Sequence, residues 1–142
     1  MSAAALSSSY VTTRSSTSTA TLWAGRTLTT LAVLFLIFDL GVKLSGAKMA
    51  IDANAQLGWQ AHYLPILGVI ELVCLVLYLV PRTAPIGAIL WTGYLGGAIA
   101  TQLRIDNPLF SHILFPTYVA ALIWGGLYFR DARVRGLLSS TK

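Results

Sequence analysis

Four apolar stretches, at residues 27–46, 63–80, 85–103 and 110–129, constrain this chain more than any other feature. Each is about 18 to 20 residues long, the length an α-helix needs to cross a hydrocarbon core of about 30 Å at about 1.5 Å per residue. None alternates apolar and polar residues over the roughly ten positions of a membrane strand, so a barrel is excluded. Composition agrees. Hydrophobic residues make up 56% of the 142 residues and charged residues 11%, against about 25% charged in soluble domains. So little polar surface cannot clothe a soluble core, and the solvent for most of this chain is lipid.

The segments between the stretches predict how the spans connect. Residues 47–62 carry Lys48, Asp52, Asn54, Gln56, Gly58 and Trp59, enough for a short interfacial helix with Trp59 and Tyr63 at head-group level. Pro81-Arg82-Thr83-Ala84-Pro85 is a tight helix-breaking turn, and residues 104–108 form another that ends in Asn107-Pro108. Short turns make neighbouring helices antiparallel. The expected fold is therefore all-α: an integral membrane, antiparallel bundle of four transmembrane helices. Residues 1–21, rich in Ser, Thr and Ala, read as a disordered tail. Residues 22–130 are the membrane domain, and 131–142 are a short basic tail.

The net charge is +5, but the basic residues gather at helix ends, where they suit anionic lipid head groups. No basic, aromatic-studded stretch suggests a nucleic acid partner. With both termini inside, Arg14, Arg26, Arg82, Arg130, Arg133, Arg135 and Lys142 face the cytoplasm, and Lys43, Lys48 and Arg104 face out. That asymmetry predicts a multi-pass protein of the plasma or inner membrane with cytoplasmic termini. Ser45-Gly46-Ala47 has the small-x-small form of a signal cleavage site, but the region before it is poor in positive charge and its apolar run exceeds most signal cores.

Ionisable residues inside the spans cost about 2.5 to 3.5 kcal/mol each at a helix centre, so they pair, face water or act. Asp39 and Lys43 lie four apart on one face of the first helix, acid first, the favourable order for an ion pair. Glu71 sits mid-span in the second helix with no cation within a turn. Its candidate partners on neighbouring helices are Lys43, Tyr94, Thr101 and Gln102. Together, Asp39, Lys43, Glu71, Tyr94, Thr101 and Gln102 form the candidate ligand-binding cluster. In the third helix Gly93 and Gly97 lie four apart, a spacing that lets another helix approach closely, and they are assigned to helix packing. His62 and His112 stand alone, and no spaced set suggests zinc, iron or haem, so no metal is expected. The single Cys74 makes no disulfide within the chain and no CxxC pair, and it reads as a small buried residue. No phosphate loop and no catalytic triad is visible. No sequence motif assigns an enzymatic activity.

The order of these motifs resembles the DoxX-like family, small four-helix membrane proteins related to DoxX. The resemblance runs from about Phe38 to Asp131. It takes in Lys43, Leu57-Gly58, Gly68-Val69-Ile70-Glu71, Val80-Pro81-Arg82, Gly96-Gly97-Ala98, Ala100-Thr101, Trp124-Gly125-Gly126 and Leu127-Tyr128-Phe129-Arg130-Asp131. The chain departs at Gln102, where many relatives carry a His; Gln bonds but carries no proton at neutral pH. The resemblance implies a redox-linked setting, with a quinone as the ligand it suggests; no other cofactor is evident. Three readings stay open: a subunit of a redox or quinone-linked complex that binds a lipophilic ligand, a small proton-coupled transporter, and a non-catalytic partner that assembles with another membrane protein or with itself.

Overall fold

A computed structural model describes residues 18–139. Six α-helices follow in order: α1 Thr19–Leu44, α2 Lys48–Gln56, α3 Leu64–Leu79, α4 Ala84–Arg104, α5 Phe115–Arg130 and α6 Ala132–Ser139. A turn of 3₁₀-helix, Ala61–Tyr63, leads into α3, and a wide π-type turn, Leu109–Ile113, leads into α5. There is no strand among the described residues. With those lead-in turns, α1, α3, α4 and α5 are long and apolar enough to cross a membrane.

Local sequence explains the boundaries. Ser18 caps α1 by accepting from the Thr21 backbone N–H at 3.2 Å. Nothing between Thr19 and Thr27 breaks a helix, so α1 starts before the apolar stretch does. The expected tail at 1–21 therefore loses residues 19–21 to α1, and its remainder through residue 17 lies outside the described residues. At the far end Gly46 takes φ +64°, the left-handed conformation that stops the helix. Each of α3, α4 and α5 begins with a proline in its first turn, where the missing N–H costs nothing. The basic tail carries α6, which lies back on α5 through Arg135 donating to the carbonyls of Tyr128 and Phe129.

The bundle closes as a ring: α1 packs on α5 and α3, and α4 packs on α3 and α5. Consecutive spans run antiparallel, and α1 and α4 face each other across the diagonal. One stripe per helix fills the centre: Ala32, Leu36 and Leu40; Cys74, Leu75 and Tyr78; Ala84, Ala88, Trp91 and Leu95; Val119, Ile123 and Leu127. The spacing of three and four is that of a helix face. Leu34, Phe38, Val69, Val73 and Ile89 point outward as the lipid-facing surface.

Glycine sets the closest helix approaches, though not the pair expected from sequence. A Cβ on Gly87 would stand 2.6 Å from the Tyr78 Cα, and one on Gly126 would stand 2.9 Å from the Thr29 backbone nitrogen. These two positions join α4 to α3 and α5 to α1. Gly93 and Gly97 have nothing within 4 Å of such an atom, so within this chain they do not pack helices together. Polar bonds reinforce the ends: the Tyr78 hydroxyl donates to the Ile123 carbonyl at 3.0 Å, Arg130 donates to the Tyr78 carbonyl at 3.0 Å, and the Trp124 indole donates to the Thr92 hydroxyl at 2.9 Å.

Candidate functional site

The charged residues meet where α1, α3 and α4 come together towards the end of the bundle that carries α2. The i, i+4 spacing on α1 brings the Lys43 ammonium to 2.6 Å from Asp39 Oδ2. The ring order then places Glu71 of α3 on the other side of that ammonium, and Lys43 forms a second ion pair with Glu71 Oε1. Tyr94 of α4 completes the group. Its hydroxyl donates to the same Glu71 oxygen and accepts from Lys43 at 3.3 Å. Four side chains from three spans thus tie α1, α3 and α4 to one another.

Exposure differs sharply within the group. Glu71 is completely buried, the Lys43 side chain is 13% exposed and the Asp39 side chain is 38% exposed. Glu71 Oε2 is buried and has no hydrogen-bond partner among the described residues. All three ammonium hydrogens of Lys43 are committed, to Asp39, Glu71 and Tyr94. Two carboxylates against one ammonium leave a formal charge of −1 when all three are ionised. In a low-dielectric interior such an excess calls for a proton or a second cation.

Asp39 and Lys43 also form part of the wall of a cavity of about 460 Å³. It lies between α1, α4 and the start of α5, under a roof made by Asn54 of α2 and by Leu57 and Trp59 of the following connection. The walls are mostly apolar and aromatic, with Phe35, Tyr94, Leu95, Phe115 and Val119. Phe35 and Phe115 meet edge to face at 5.3 Å, which joins α1 to α5. Gly93 and Gly97 line the same space. Without side chains there, the α4 backbone itself is the wall and the cavity is wider.

Of the sequence-predicted residues, Asp39, Lys43, Glu71 and Tyr94 converge directly. Thr101 and Gln102 do not reach Glu71. Thr101 donates to the Gly97 carbonyl at 2.8 Å and Gln102 accepts from Asn107, although both line the cavity. Phe35, Phe115, Trp59 and His112 were not assigned to the site from sequence, and all four line it. Phe35 had a readable signal, since it precedes Asp39 by four and so shares its helix face. The roof is pinned by Arg104, which donates to the Leu57 carbonyl beside Gly58 at φ +81°. Cys74 is buried and unpaired. No group of three or more His, Cys, Asp or Glu converges among the described residues.

No curated protein and no solved structure matches this chain. A family model does match, over residues 27–126, which is most of the chain and includes α3 and α4 in full and most of α1 and α5. Glu71, Lys43, Tyr94 and the cavity walls all fall inside that match. The chain belongs to the DoxX-like family and is an integral membrane protein built as a four-helix bundle.

Proposed function

We propose that this protein binds a lipophilic small molecule, drawn from the membrane, in the cavity between α1, α4 and α5. The observation that carries the reading is the cavity itself: about 460 Å³ of apolar and aromatic space with one charged group at its side. Ligand pockets commonly span about 300 to 1,000 Å³ and pair apolar walls with a few placed polar groups. A quinone-class molecule, the ligand the family resemblance implies, has that general build, and membership of a redox-linked membrane complex follows on the same reading. The test is mass spectrometry of small molecules that co-purify in mild detergent. Gly97→Leu fills the cavity from a position with open space around it. A discrete compound present with wild type and absent with Gly97→Leu supports the reading; the same set of lipids in both refutes it.

A second reading, proton-coupled transport, is favoured by the two carboxyls, one on α1 and one on α3, that share the Lys43 ammonium. A buried acid of this kind can exchange a proton for a substrate. Proteoliposomes that show no proton-linked flux across a broad substrate panel would reject it.

For topology, both termini lie on the cytoplasmic side of the plasma or inner membrane on this proposal. Arg26, Arg82, Arg130, Arg133 and Arg135 gather at one end of the bundle, against Lys43, Lys48 and Arg104 at the other, which is the positive-inside pattern. A reporter fused to the C-terminus that is active only when exported would overturn this orientation.

A further inference from the structure

The polar face that the charged group turns to the cavity is an acid, although a lysine stands beside it. Lys43 donates to Asp39, Glu71 and Tyr94 and has no hydrogen left for a ligand. Tyr94 donates its own hydroxyl hydrogen to Glu71. Asp39 is different: its Oδ2 accepts from Lys43, and its Oδ1 accepts from no described residue. Its side chain is 38% exposed and lines the cavity. A ligand placed here therefore meets a free acceptor and no free donor from the cluster. The Gln102 amide, a neutral donor group lining the cavity, is eight residues along α4 from Tyr94, about 12 Å at about 1.5 Å per residue.

Two independent features point the same way. With its two carboxyls and Lys43 ionised the cluster carries a formal excess of one negative charge, and of the two carboxyls it is Asp39 that lines the cavity. Aromatic rings of Phe35, Tyr94, Trp59 and Phe115 line the cavity, and the face of such a ring attracts a positive charge. We propose, resting on the cavity reading above, that the occupant is a lipophilic organic monocation, a primary or secondary amine in its ammonium form, seated with its N–H groups on Asp39 and its apolar body among the aromatic walls. The excess charge of the cluster is then balanced by the ligand. A carboxylate or a phosphate head group brought to Asp39 meets a like charge there.

The test is equilibrium binding to the full chain in nanodiscs of zwitterionic phosphatidylcholine at pH 7. Three probes share one naphthyl-ethyl skeleton and end in an ammonium, a hydroxyl or a carboxylate. The ammonium probe is expected to bind about tenfold or more tighter than the alcohol, with the carboxylate weakest, as a charge-assisted hydrogen bond provides. Asp39→Asn should cut ammonium affinity by about tenfold and alcohol affinity by less than about threefold. Gly97→Leu should weaken every probe. Equal affinities, or a preference for the carboxylate, with Gly97→Leu still blocking binding, would overturn the monocation while the cavity reading stands. Probes that bind equally well to wild type and Gly97→Leu, or no binding by a folded wild type, would overturn both. The wild-type probe series decides the matter even if Asp39→Asn does not fold.

Discussion

Lys43→Met tests whether the charged cluster holds the bundle together as a unit. Methionine keeps the length of the side chain and removes the ammonium. Glu71 then stays completely buried with Tyr94 as its one remaining donor and with Oε2 still unpartnered. Stranding one member of a buried ion pair costs about 3 to 5 kcal/mol. Asp39 is part-exposed and rehydrates, so the expected loss falls at the low end, about 3 kcal/mol. Glu71→Gln is milder. The amide oxygen still accepts from Tyr94 and Lys43, and Lys43 keeps Asp39, so the loss is about 1 kcal/mol. The double variant Lys43→Met/Glu71→Gln removes the stranded charge altogether. It should lose about 2 kcal/mol rather than the additive 4 kcal/mol or so, a coupling of about 2 kcal/mol between α1 and α3. The assay is reversible unfolding in mixed micelles at pH 7, followed by helical circular dichroism in all four proteins. A double variant that loses the sum of the two single losses, within about 0.5 kcal/mol, would refute the idea that Lys43 and Glu71 stabilise the bundle through each other.

Three further outcomes are expected. Gly87→Ala drives a Cβ to 2.6 Å from the Tyr78 Cα, where backbone cannot give way, and should lose about 2 kcal/mol or more, whereas Gly93→Ala, with nothing within 4 Å, should stay within about 0.5 kcal/mol; unfolding midpoints compare them. Tyr78→Phe removes the buried hydrogen bond to the Ile123 carbonyl and should lose about 1 to 1.5 kcal/mol in the same assay. At the junction of α5 and α6, hydrogen bonds from Arg133 hold the Asp131 carboxyl below the usual carboxylate range. Its folded pKa is thus the lower one, so its contribution is complete above the unfolded pKa and is lost as pH falls through the folded value. Pepsin cleavage near α6 should rise in wild type below about pH 4, and Asp131→Asn should cleave faster at pH 5 with a flatter pH profile.

The parts of this fold that were legible in the sequence are those set by the thickness of a bilayer. Span number and approximate ends follow from the length needed to cross it, and the turns follow from Pro81, Pro85 and Pro108. What stayed hidden is which face of each helix turns inward, and the reason is physical. Leu36 and Leu40 are in the core while Leu34 and Phe38 face outward; in lipid both settings favour the same residues, so the periodicity that marks a buried face in water is absent. Only the charges break that degeneracy. The Asp39–Lys43 pair was readable because it lies on one helix. The union of Lys43 with Glu71 was open, because it depends on α1 and α3 being neighbours in the ring. Thr101 and Gln102 illustrate the same ambiguity from the other side: they share an end of α4 but lie two turns from Tyr94, and their bonds go to Gly97 and Asn107 instead.

The glycines carry the remaining lesson. The Gly93 and Gly97 spacing reports a stretch of α4 backbone left bare, and bare backbone suits two opposite purposes, contact with another helix or room for something else. Gly87 serves the first, whereas Gly93 and Gly97 meet no helix of this chain and line the cavity. The distinction comes from position along α4. Gly87 stands where α4 leaves the tight turn after α3, so the two backbones have no length in which to separate. Gly93 and Gly97 stand further along α4, exposed and with no atom within 4 Å of an added Cβ, where they line the cavity. The charged group sits at the edge of that same cavity. The cavity and its acid are therefore parts of one arrangement, since the Lys43 that joins Glu71 also lines the cavity with Asp39.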